Sequence, residues 1–179
     1  MILHEGIVLL PGEGLSSNSY LLEGERGLLC IDAGTDALAF EAAIAGREAR
    51  VLLTHGHADH WLGAAGCELE LHEADLNDFS GVNSVFSDLP KPKLKALPKR
   101  IDWPPFELEI IESPGHTMGS VCFLEKQSGL LFSGDCLFAD GMPGRTDLHG
   151  GNQTLMQKSL DKLMSLDYEC LCPGHGPIE

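Results

Sequence analysis

Short apolar runs separated by glycine, serine and charged residues dominate the first part of the chain. Three of these runs lie at residues 2–10, 18–23 and 28–32. Runs of this length bounded by turn-forming residues are typical of β-strands joined by tight turns. The chain is therefore predicted to open with strands in an antiparallel arrangement.

The spacing of apolar residues changes to that of a helix at residues 36–46, which end on a glycine suited to a C-cap. The residues that recur at this spacing are Leu38, Ala42 and Ala45. Further along, the pattern predicts strands at residues 51–54, 67–71, 106–112, 120–125, 130–133 and 168–172, and helices at 72–79 and 154–166. Because strands followed by a helix occur twice, we predict an α/β fold in which two sheets pack together with helices outside.

Residues 80–105 lack this regularity. The segment contains five prolines and five of the 12 basic residues of the chain. An irregular segment of this length inside a compact domain is usually functional or mobile. Two interpretations stay open, namely a lid inserted over a functional site and a plain flexible connection.

Length, charge and cysteine content restrict the class of protein. A chain of 179 residues suffices for one hydrophobic core, so we expect a single domain over residues 1–179. The formal net charge of −15 disfavours nucleic acids and anionic membranes as partners, because binding to either depends on lysine and arginine. The N-terminus is expected to be a strand rather than a signal peptide, since it lacks a basic leader. The six cysteines lack the paired spacing of a structural zinc site, which indicates reduced thiols in a cytoplasmic protein.

The densest chemical signal is the sequence HGHADH at residues 55–60, directly after an apolar run. It places three imidazoles and one carboxylate close together, and these are ligand types that zinc and similar divalent cations prefer. His55 and His57 can bind one ion, while Asp59 and His60 point elsewhere and can begin a second site. The alternative, in which Asp59 only caps a helix, explains none of the histidines.

An apolar strand, small residues and then a potential metal ligand recur at three further places in the chain. Glycine and proline at these positions allow sharp turns and close backbone approach, so that side chains from separate strands can converge at one sheet edge. The candidate ligands are His55, His57, Asp59, His60, His116, Asp135 and His175. The remaining histidines, His4, His72 and His149, lack this setting.

With these motifs in this order, the chain resembles the metallo-β-lactamase fold hydrolases, and within them the short glyoxalase II-like (hydroxyacylglutathione hydrolase-like) branch. The matching segments are residues 32–34 (DAG), 55–60 (HGHADH), 114–117 (PGHT), 133–135 (SGD) and 173–176 (PGHG). The resemblance implies a four-layer αββα sandwich with two divalent metal ions at one edge of the sheets.

The resemblance also implies a role for each ligand. The first metal would be bound by His55, His57 and His116, the second by Asp59, His60 and His175, and Asp135 would bridge the two. Asp32 would orient a ligand histidine from outside the coordination sphere. Asp59 is also the candidate catalytic residue. Arg145 is either a clamp for a substrate carboxylate or a surface salt-bridge partner.

Two cations, zinc by preference with iron or manganese as alternatives, can share a water and lower its pKa to about 7. The bridging hydroxide is expected to attack the carbonyl of a small-molecule acyl-thioester. Full-length glyoxalase II enzymes carry a helical C-terminal domain that contacts glutathione, and the chain is expected to lack it, so the thiol carrier stays open. Persulfide dioxygenases are similar over the same motifs and use one iron on the residues matching His55, His116 and Asp135. Hydrolysis of another ester or lactone and a non-catalytic metal-binding role are further alternatives.

Overall fold

The computed structural model describes residues 1–85 and 88–179. Phe86 and Ser87, which belong to the predicted lid segment, lie outside the described residues. Two β-sheets of seven and four strands form the centre of the molecule.

The seven-stranded sheet follows the order of the chain. Its strands are β1 (Ile2–His4), β2 (Ile7–Leu10), β3 (Ser19–Gly24), β4 (Gly27–Ile31), β5 (Ala49–Leu52), β6 (Glu68–Leu71) and β7 (Lys93–Ala96). Strands β1 to β4 pair antiparallel and β4 to β7 pair parallel. The predicted first strand is in fact the hairpin of β1 and β2, because Gly6 at φ +75° turns the chain between them.

The smaller sheet has the order β11, β10, β9, β8. Its strands are β8 (Leu108–Glu112), β9 (Val121–Glu125), β10 (Leu130–Gly134) and β11 (Cys170–Pro173). Strands β10 and β11 are parallel. Their carboxyl ends therefore lie side by side at one edge.

The helices are α1 (Ala37–Ile44), α2 (Glu73–Asn77), α3 (Phe79–Val82) and α4 (Gln153–Leu163). A helix lies within the predicted residues 36–46, and Asp36 caps its start by accepting from two backbone amides. The helix ends earlier than predicted, because Ala45 rather than Gly46 is the left-handed C-cap, at φ +51°. The face it buries differs from the expected one, since Phe40 is 1% exposed while Leu38 is 78% exposed. The larger apolar area of the aromatic ring explains this orientation. Among the described helices, none has the length and apolar character needed to cross a bilayer.

Three separate hydrophobic cores divide the molecule into four layers. Within β4, Leu29 and Ile31 lie in the core between the sheets, whereas Cys30 lies in a second core that includes Phe40 of α1. The third core joins the outer face of the smaller sheet to Met156 of α4. This alternation along the strands confirms the predicted α/β fold with helices outside two packed sheets.

The irregular segment at residues 80–105 contains an edge strand that the sequence pattern does not predict. Strand β7 adds to β6 in parallel, with Glu68 beside Lys93 and Leu71 beside Ala96. Leu94 alone in this strand is even partly buried, so the usual apolar alternation is missing. A lid function for the segment stays a prediction.

Candidate metal centre

Four turns at strand ends bring the predicted ligands to one edge of the two sheets. The HGHADH turn at residues 55–60 follows β5, and His116 lies between β8 and β9. Asp135 follows β10 and His175 follows β11. The sheet topology thus gathers side chains that are far apart in sequence.

Gly174 allows a close approach among three of these turns. A Cβ atom at this position would collide with Asp135 Oδ1 and would lie 2.7 Å from His60 Cε1. Only glycine leaves room for both side chains, which explains the small residue that precedes His175.

The first cluster consists of three buried imidazoles. His57 Nδ1 lies 3.0 Å from His55 Nε2 and 2.8 Å from His116 Nε2. One ligand atom from each residue lies within 4.8 Å of the others. A proton on one of these three nitrogens can form a hydrogen bond to only one of the other two, so the third nitrogen is left without a partner. A cation, in contrast, can bind the lone pairs of all three.

The second cluster combines two imidazoles with a carboxylate. His175 Nε2 lies 3.1 Å from Asp59 Oδ2, and His60 Nε2 lies 3.8 Å from the same oxygen. Asp135 lies between the two clusters, with Oδ1 3.2 Å from His60 Nε2 and Oδ2 3.6 Å from His116 Nε2. A single carboxylate therefore reaches both clusters.

Hydrogen bonds behind the cluster determine which ring nitrogens carry protons. Thr54 Oγ1 donates to Asp32 Oδ2 at 2.8 Å, because a carboxylate can only accept. The same hydroxyl lies 3.2 Å from His55 Nδ1 and therefore accepts a hydrogen bond from the N–H at this position. Asp32 Oδ2 also accepts from His60 Nδ1 at 2.8 Å. In a neutral ring this arrangement leaves Nε2 with a lone pair that faces the cluster.

The third oriented ring is His116, whose Nδ1 donates to the backbone carbonyl of Arg145 at 2.7 Å. Asp32 further accepts from the amide of Thr54 at 2.8 Å. Its φ of +55° is a left-handed conformation that aspartate adopts more readily than most residues. Asp32 thus lies where its predicted orienting role requires it.

Two ligand atoms of the cluster fail to form hydrogen bonds within the described part of the chain. They are His60 Nε2 and Asp135 Oδ1, which are buried and lie 3.2 Å apart. The other ring nitrogen of His57, Nε2, is likewise buried without a partner among the described residues. A buried polar atom without a partner costs about 1–3 kcal/mol. Imidazole nitrogen and carboxylate oxygen are the donor set of zinc and iron, so the residues present fit divalent cations.

The charges of the site also favour a cation. Burial and the neighbouring imidazoles lower the pKa of His55, and burial with the adjacent His116 lowers the pKa of His57 to about 4. Burial also acts to lower the pKa of His60, but the carboxylates of Asp32 and Asp135 outweigh it and raise that pKa well above its usual value. The second half of the site therefore attracts a proton, and a divalent cation would replace it.

Asp75, which no motif marks, connects two of the ligand turns. Its side chain is buried on α2 and accepts from the amide of Gly56 at 2.9 Å. It also accepts from the hydroxyl of Thr117 and the amide of Gly119, each at 2.7 Å. Its partners are far away in sequence, so no local pattern separates Asp75 from an ordinary surface carboxylate.

A second pair that the motifs do not mark supports the turn around His175. Asn18 Nδ2 donates to the carbonyls of Pro173 and Gly176, at 3.0 Å each. Tyr20 donates its hydroxyl to Pro173 at 2.7 Å, and burial raises the pKa of this phenol so that it stays a donor. The only sequence signal is a polar residue at the start of a buried strand.

The other three histidines of the chain lie outside the cluster, and the capping role considered for Asp59 is not observed. Asp59 lies inside the 3₁₀ turn at Ala58–His60, and the next turn, at Leu62–Ala64, starts from Trp61 without a side-chain cap, so the helix-capping alternative is not observed. His72 accepts from a backbone amide at the start of α2, and His149 pairs with Asp78 at 2.7 Å. His4 is exposed on β1.

A cavity of about 660 Å³ opens over the cluster. Its lining consists of Gly14, Leu15, His57, Asp59, Val85, His116, Asp135, Arg145, Leu148 and His175. Arg145 forms two hydrogen bonds of 2.8 Å with Asp147. The salt-bridge role of Arg145 is therefore observed, and its role as a substrate clamp stays a prediction.

Comparison with known proteins agrees with this arrangement. The family model described as "Metallo-beta-lactamase superfamily" matches residues 12–175. The "Probable metallo-hydrolase YqgX" of Bacillus subtilis (strain 168) is 32% identical, over 94% of this chain and 89% of its own length. The "Hydroxyacylglutathione hydrolase GloC" of Haemophilus influenzae is 30% identical, over 95% of this chain and 90% of its own length.

Solved structures share the same fold. The BLEG-1 B3 metallo-beta-lactamase superposes with a TM-score of 0.81 at 27% identity, covering 97% of this chain and 93% of its own. TTHA1623, solved in a di-iron-bound form, gives a TM-score of 0.78 at 30% identity, and the match covers 96% of this chain and 93% of TTHA1623.

Proposed function

Since the chain belongs to the metallo-beta-lactamase superfamily, we propose that it is a binuclear metallohydrolase of the glyoxalase II-like type, which cleaves thioesters. The family assignment and the convergent donor set support an enzyme with a metal site. To this family assignment the proposal adds a two-metal site and specificity for thioesters.

The observation that carries the proposal is the position of Asp135 between two clusters of three potential ligands. Two of the groups of convergent donors are His55, His57 and His116, and Asp59, His60 and His175. Asp135 lies within 3.6 Å of His116 and 3.2 Å of His60. A shared carboxylate of this kind suits a pair of cations, and the similarity to the di-iron-bound TTHA1623 supports two ions.

We propose zinc as the metal, with iron and manganese as alternatives. Bound cations would supply Lewis acidity and a water of lowered pKa at neutral pH. Asp59 is 27% exposed and faces the cavity, where it can hold a proton of that water. Burial acts to raise the pKa of Asp59, but the hydrogen bond from His175 and the charge of His60 outweigh it, so the group is an anion.

The cavity lining supports attack by water rather than by a hydroxyl, thiol or amine side chain. Among the described residues that line the cavity, none is serine, threonine, cysteine or lysine. Cys136, adjacent to Asp135, is 1% exposed and its thiol contacts the sulfur of Met156 at 3.7 Å. Direct hydrolysis of an acyl group therefore fits the site better than an acyl-enzyme formed on serine, threonine, cysteine or lysine.

Thioesters are proposed as substrates because GloC, a relative over most of both chains, is named a hydroxyacylglutathione hydrolase. All six cysteines are free thiols. This state supports a reducing compartment, and we propose the cytoplasm.

Metal-stripped protein reloaded with zinc, iron or manganese tests the proposal. The substrate panel contains thioesters of glutathione, N-acetylcysteamine and coenzyme A, together with a β-lactam and a persulfide. We expect thioester hydrolysis that requires metal. His175→Ala should lower kcat/KM by about 100-fold or more, because it removes a ligand. The matched control His149→Ala removes an exposed histidine that pairs with Asp78 and should retain full activity.

Three results would contradict the proposal. One is oxygen consumption on the persulfide with a single bound iron, which would indicate a dioxygenase. Another is hydrolysis of the β-lactam without any thioester. The third is full metal loading with no thioester hydrolysis, which would indicate a non-catalytic metal-binding protein.

A further inference from the structure

Three apolar side chains surround the mouth of the cavity above the candidate metal centre. They are Leu15, Val85 and Leu148. Leu15 is 88% exposed and Val85 is 63% exposed, while Leu148 is half-buried. Exposed apolar side chains that face one cavity are typical of a binding surface, whereas scattered ones need no explanation. We refer to these three residues as the apolar rim.

Each residue of the apolar rim lies on a loop that is hydrogen bonded to a ligand turn. Near Leu15, the amide of Ser17 donates to the carbonyl of Asp59 at 3.1 Å. Near Val85, Asn83 Nδ2 donates to the carbonyl of Gly56 at 2.9 Å.

The third loop is attached in the same way. Beyond Leu148, the amide of Asn152 donates to the carbonyl of Gly115, next to His116, at 2.8 Å. These hydrogen bonds attach the three loops that carry the apolar rim to the ligand turns, beside the reacting centre.

The charges around the rim argue against an anionic substrate tail. Among the described residues that line the cavity, Arg145 is the sole lysine or arginine. Its guanidinium already forms two 2.8 Å hydrogen bonds with Asp147. The two carboxylates of a glutathione thioester would find no free cationic side chain in this lining, and the net charge of −15 would repel them.

We infer that the apolar rim binds an uncharged, apolar group of the thioester substrate, so that Leu15, Val85 and Leu148 determine specificity. This inference rests on the proposed thioesterase function and adds the substrate class. The apolar group can belong to the acyl half or to the thiol half. Both would be recognised by the same loss of apolar surface from water.

Two substrate series distinguish the halves. The first varies the acyl chain from acetyl to octanoyl on N-acetylcysteamine, and the second varies the thiol of an acetyl thioester from ethanethiol to hexanethiol and glutathione. We expect kcat/KM to rise about two- to fourfold per methylene in one series, which identifies the half that the rim binds. We also expect the glutathione thioester to be the poorest of the acetyl substrates. A flat dependence in both series, or a preference for glutathione, would overturn the inference.

Substitution of the rim provides the second test. Leu15→Ser should reduce the chain-length preference, measured as the ratio of kcat/KM for the longest and shortest substrate, by about fourfold or more. Leu38→Ser is the matched control, since Leu38 is 78% exposed on α1 and lies outside the cavity lining. The control should keep the wild-type ratio, and an equal fall in both variants would overturn the role of the rim.

Binding of non-hydrolysable thioethers separates this inference from the proposed function. In titration calorimetry, S-octyl N-acetylcysteamine should bind more tightly than the S-ethyl compound, with a negative heat-capacity change. Such binding without hydrolysis of any thioester would refute the proposed function and keep the apolar subsite. Thioester hydrolysis with no chain-length effect on either rate or binding would keep the function and refute the subsite.

Discussion

At the scale of single residues, Asp135 and Asp32 act on the cluster from opposite sides, and they share the imidazole of His60 as a partner. Asp135 reaches His60 and His116 from inside the cluster. Asp32 contacts His60 directly and His55 through Thr54 from outside. One carboxylate is thus placed to share cations, and the other to fix ring protons.

Replacement of Asp135 by alanine should reduce binding at both metal sites. One carboxylate serves both ions, so we expect the bound metal to fall from about two ions per chain to fewer than one. Plasma mass spectrometry of the reloaded protein measures this ratio. Asp161→Ala, which removes an exposed carboxylate on α4, is the control. Retention of two ions in Asp135→Ala would contradict the bridging role.

Asp32→Asn should weaken the second site through the tautomer of His60. The new amide would place an N–H group opposite Nδ1 of the ring, so Nδ1 must accept and the proton moves to Nε2. We expect zinc affinity at this site to fall about 10- to 100-fold. Competition with a chelator measures it. Asp36→Asn is the control, because asparagine caps α1 as well as aspartate does, and unchanged affinity in Asp32→Asn would refute the orienting role.

At the scale of elements, the ligand turns depend on contacts between segments distant in the chain. The buried carboxylate of Asp75 on α2 joins the amide of Gly56 to the turn after His116. A helix of five residues has little stability of its own. Its main role here is therefore to place this carboxylate.

Asp75→Asn should destabilise the metal-free protein by about 2–3 kcal/mol, since an amide N–H would face buried donors. Urea denaturation measures the free energy of unfolding. Asp78→Asn is a matched control near the same helix, because Asp78 forms an exposed pair with His149 and should cost about 0.5 kcal/mol or less. Equal effects of the two changes would show that Asp75 does not hold the turns together.

The carboxylate of Glu125, at the end of β9, is expected to make the free energy of unfolding depend on pH. Its buried carboxylate accepts from Ser128 and from the amide of Glu107. Burial acts to raise the pKa of Glu125, but these hydrogen bonds outweigh it and lower the pKa below its usual 4.5. The stabilisation is therefore present above the usual pKa and is lost as the pH falls through the lowered value.

We expect Glu125→Gln to lower the free energy of unfolding at neutral pH by about 1–3 kcal/mol and to lose less stability than the wild type on acidification below about pH 4.5. Urea denaturation over a pH series compares the two chains, with Glu109→Gln as an exposed control on β8. Parallel pH curves for wild type and Glu125→Gln would contradict the assignment.

The sequence predicts the elements with strong local signals and the convergence of the candidate ligands, because glycine or proline at a strand end followed by a histidine or aspartate marks each turn. The side chains that support the ligand turns cannot be predicted in this way. Asp75 and Asn18 are defined by partners that only folding brings near. Strand β7 lacks an apolar alternation, since it is an exposed edge, and the orientation of α1 is set by packing of Phe40.

At the scale of the whole molecule, the candidate ligands link the two sheets. Residues 55–60 follow a strand of the larger sheet, whereas Asp135 and His175 follow strands of the smaller one. Bound cations would therefore connect the sheets at one edge, in addition to the hydrophobic core between them.

Removal of metal should lower the melting temperature by about 10 °C. Metal present at 1,000 times its dissociation constant stabilises the folded protein by about 4 kcal/mol. For a chain of this size, the melting temperature changes by about 2–4 °C per kcal/mol. Differential scanning calorimetry with chelator and then with added zinc measures the change. Magnesium, which prefers oxygen ligands, is the control and should not restore stability. Equal melting temperatures with and without zinc would contradict the link between the sheets.

The most direct test of the paired-cation site is a crystal structure of the zinc-loaded protein, with anomalous diffraction recorded on both sides of the zinc absorption edge. We expect two anomalous peaks, one among His55, His57 and His116 and the other among Asp59, His60 and His175, each in contact with Asp135. A single peak, or peaks away from these side chains, would contradict it.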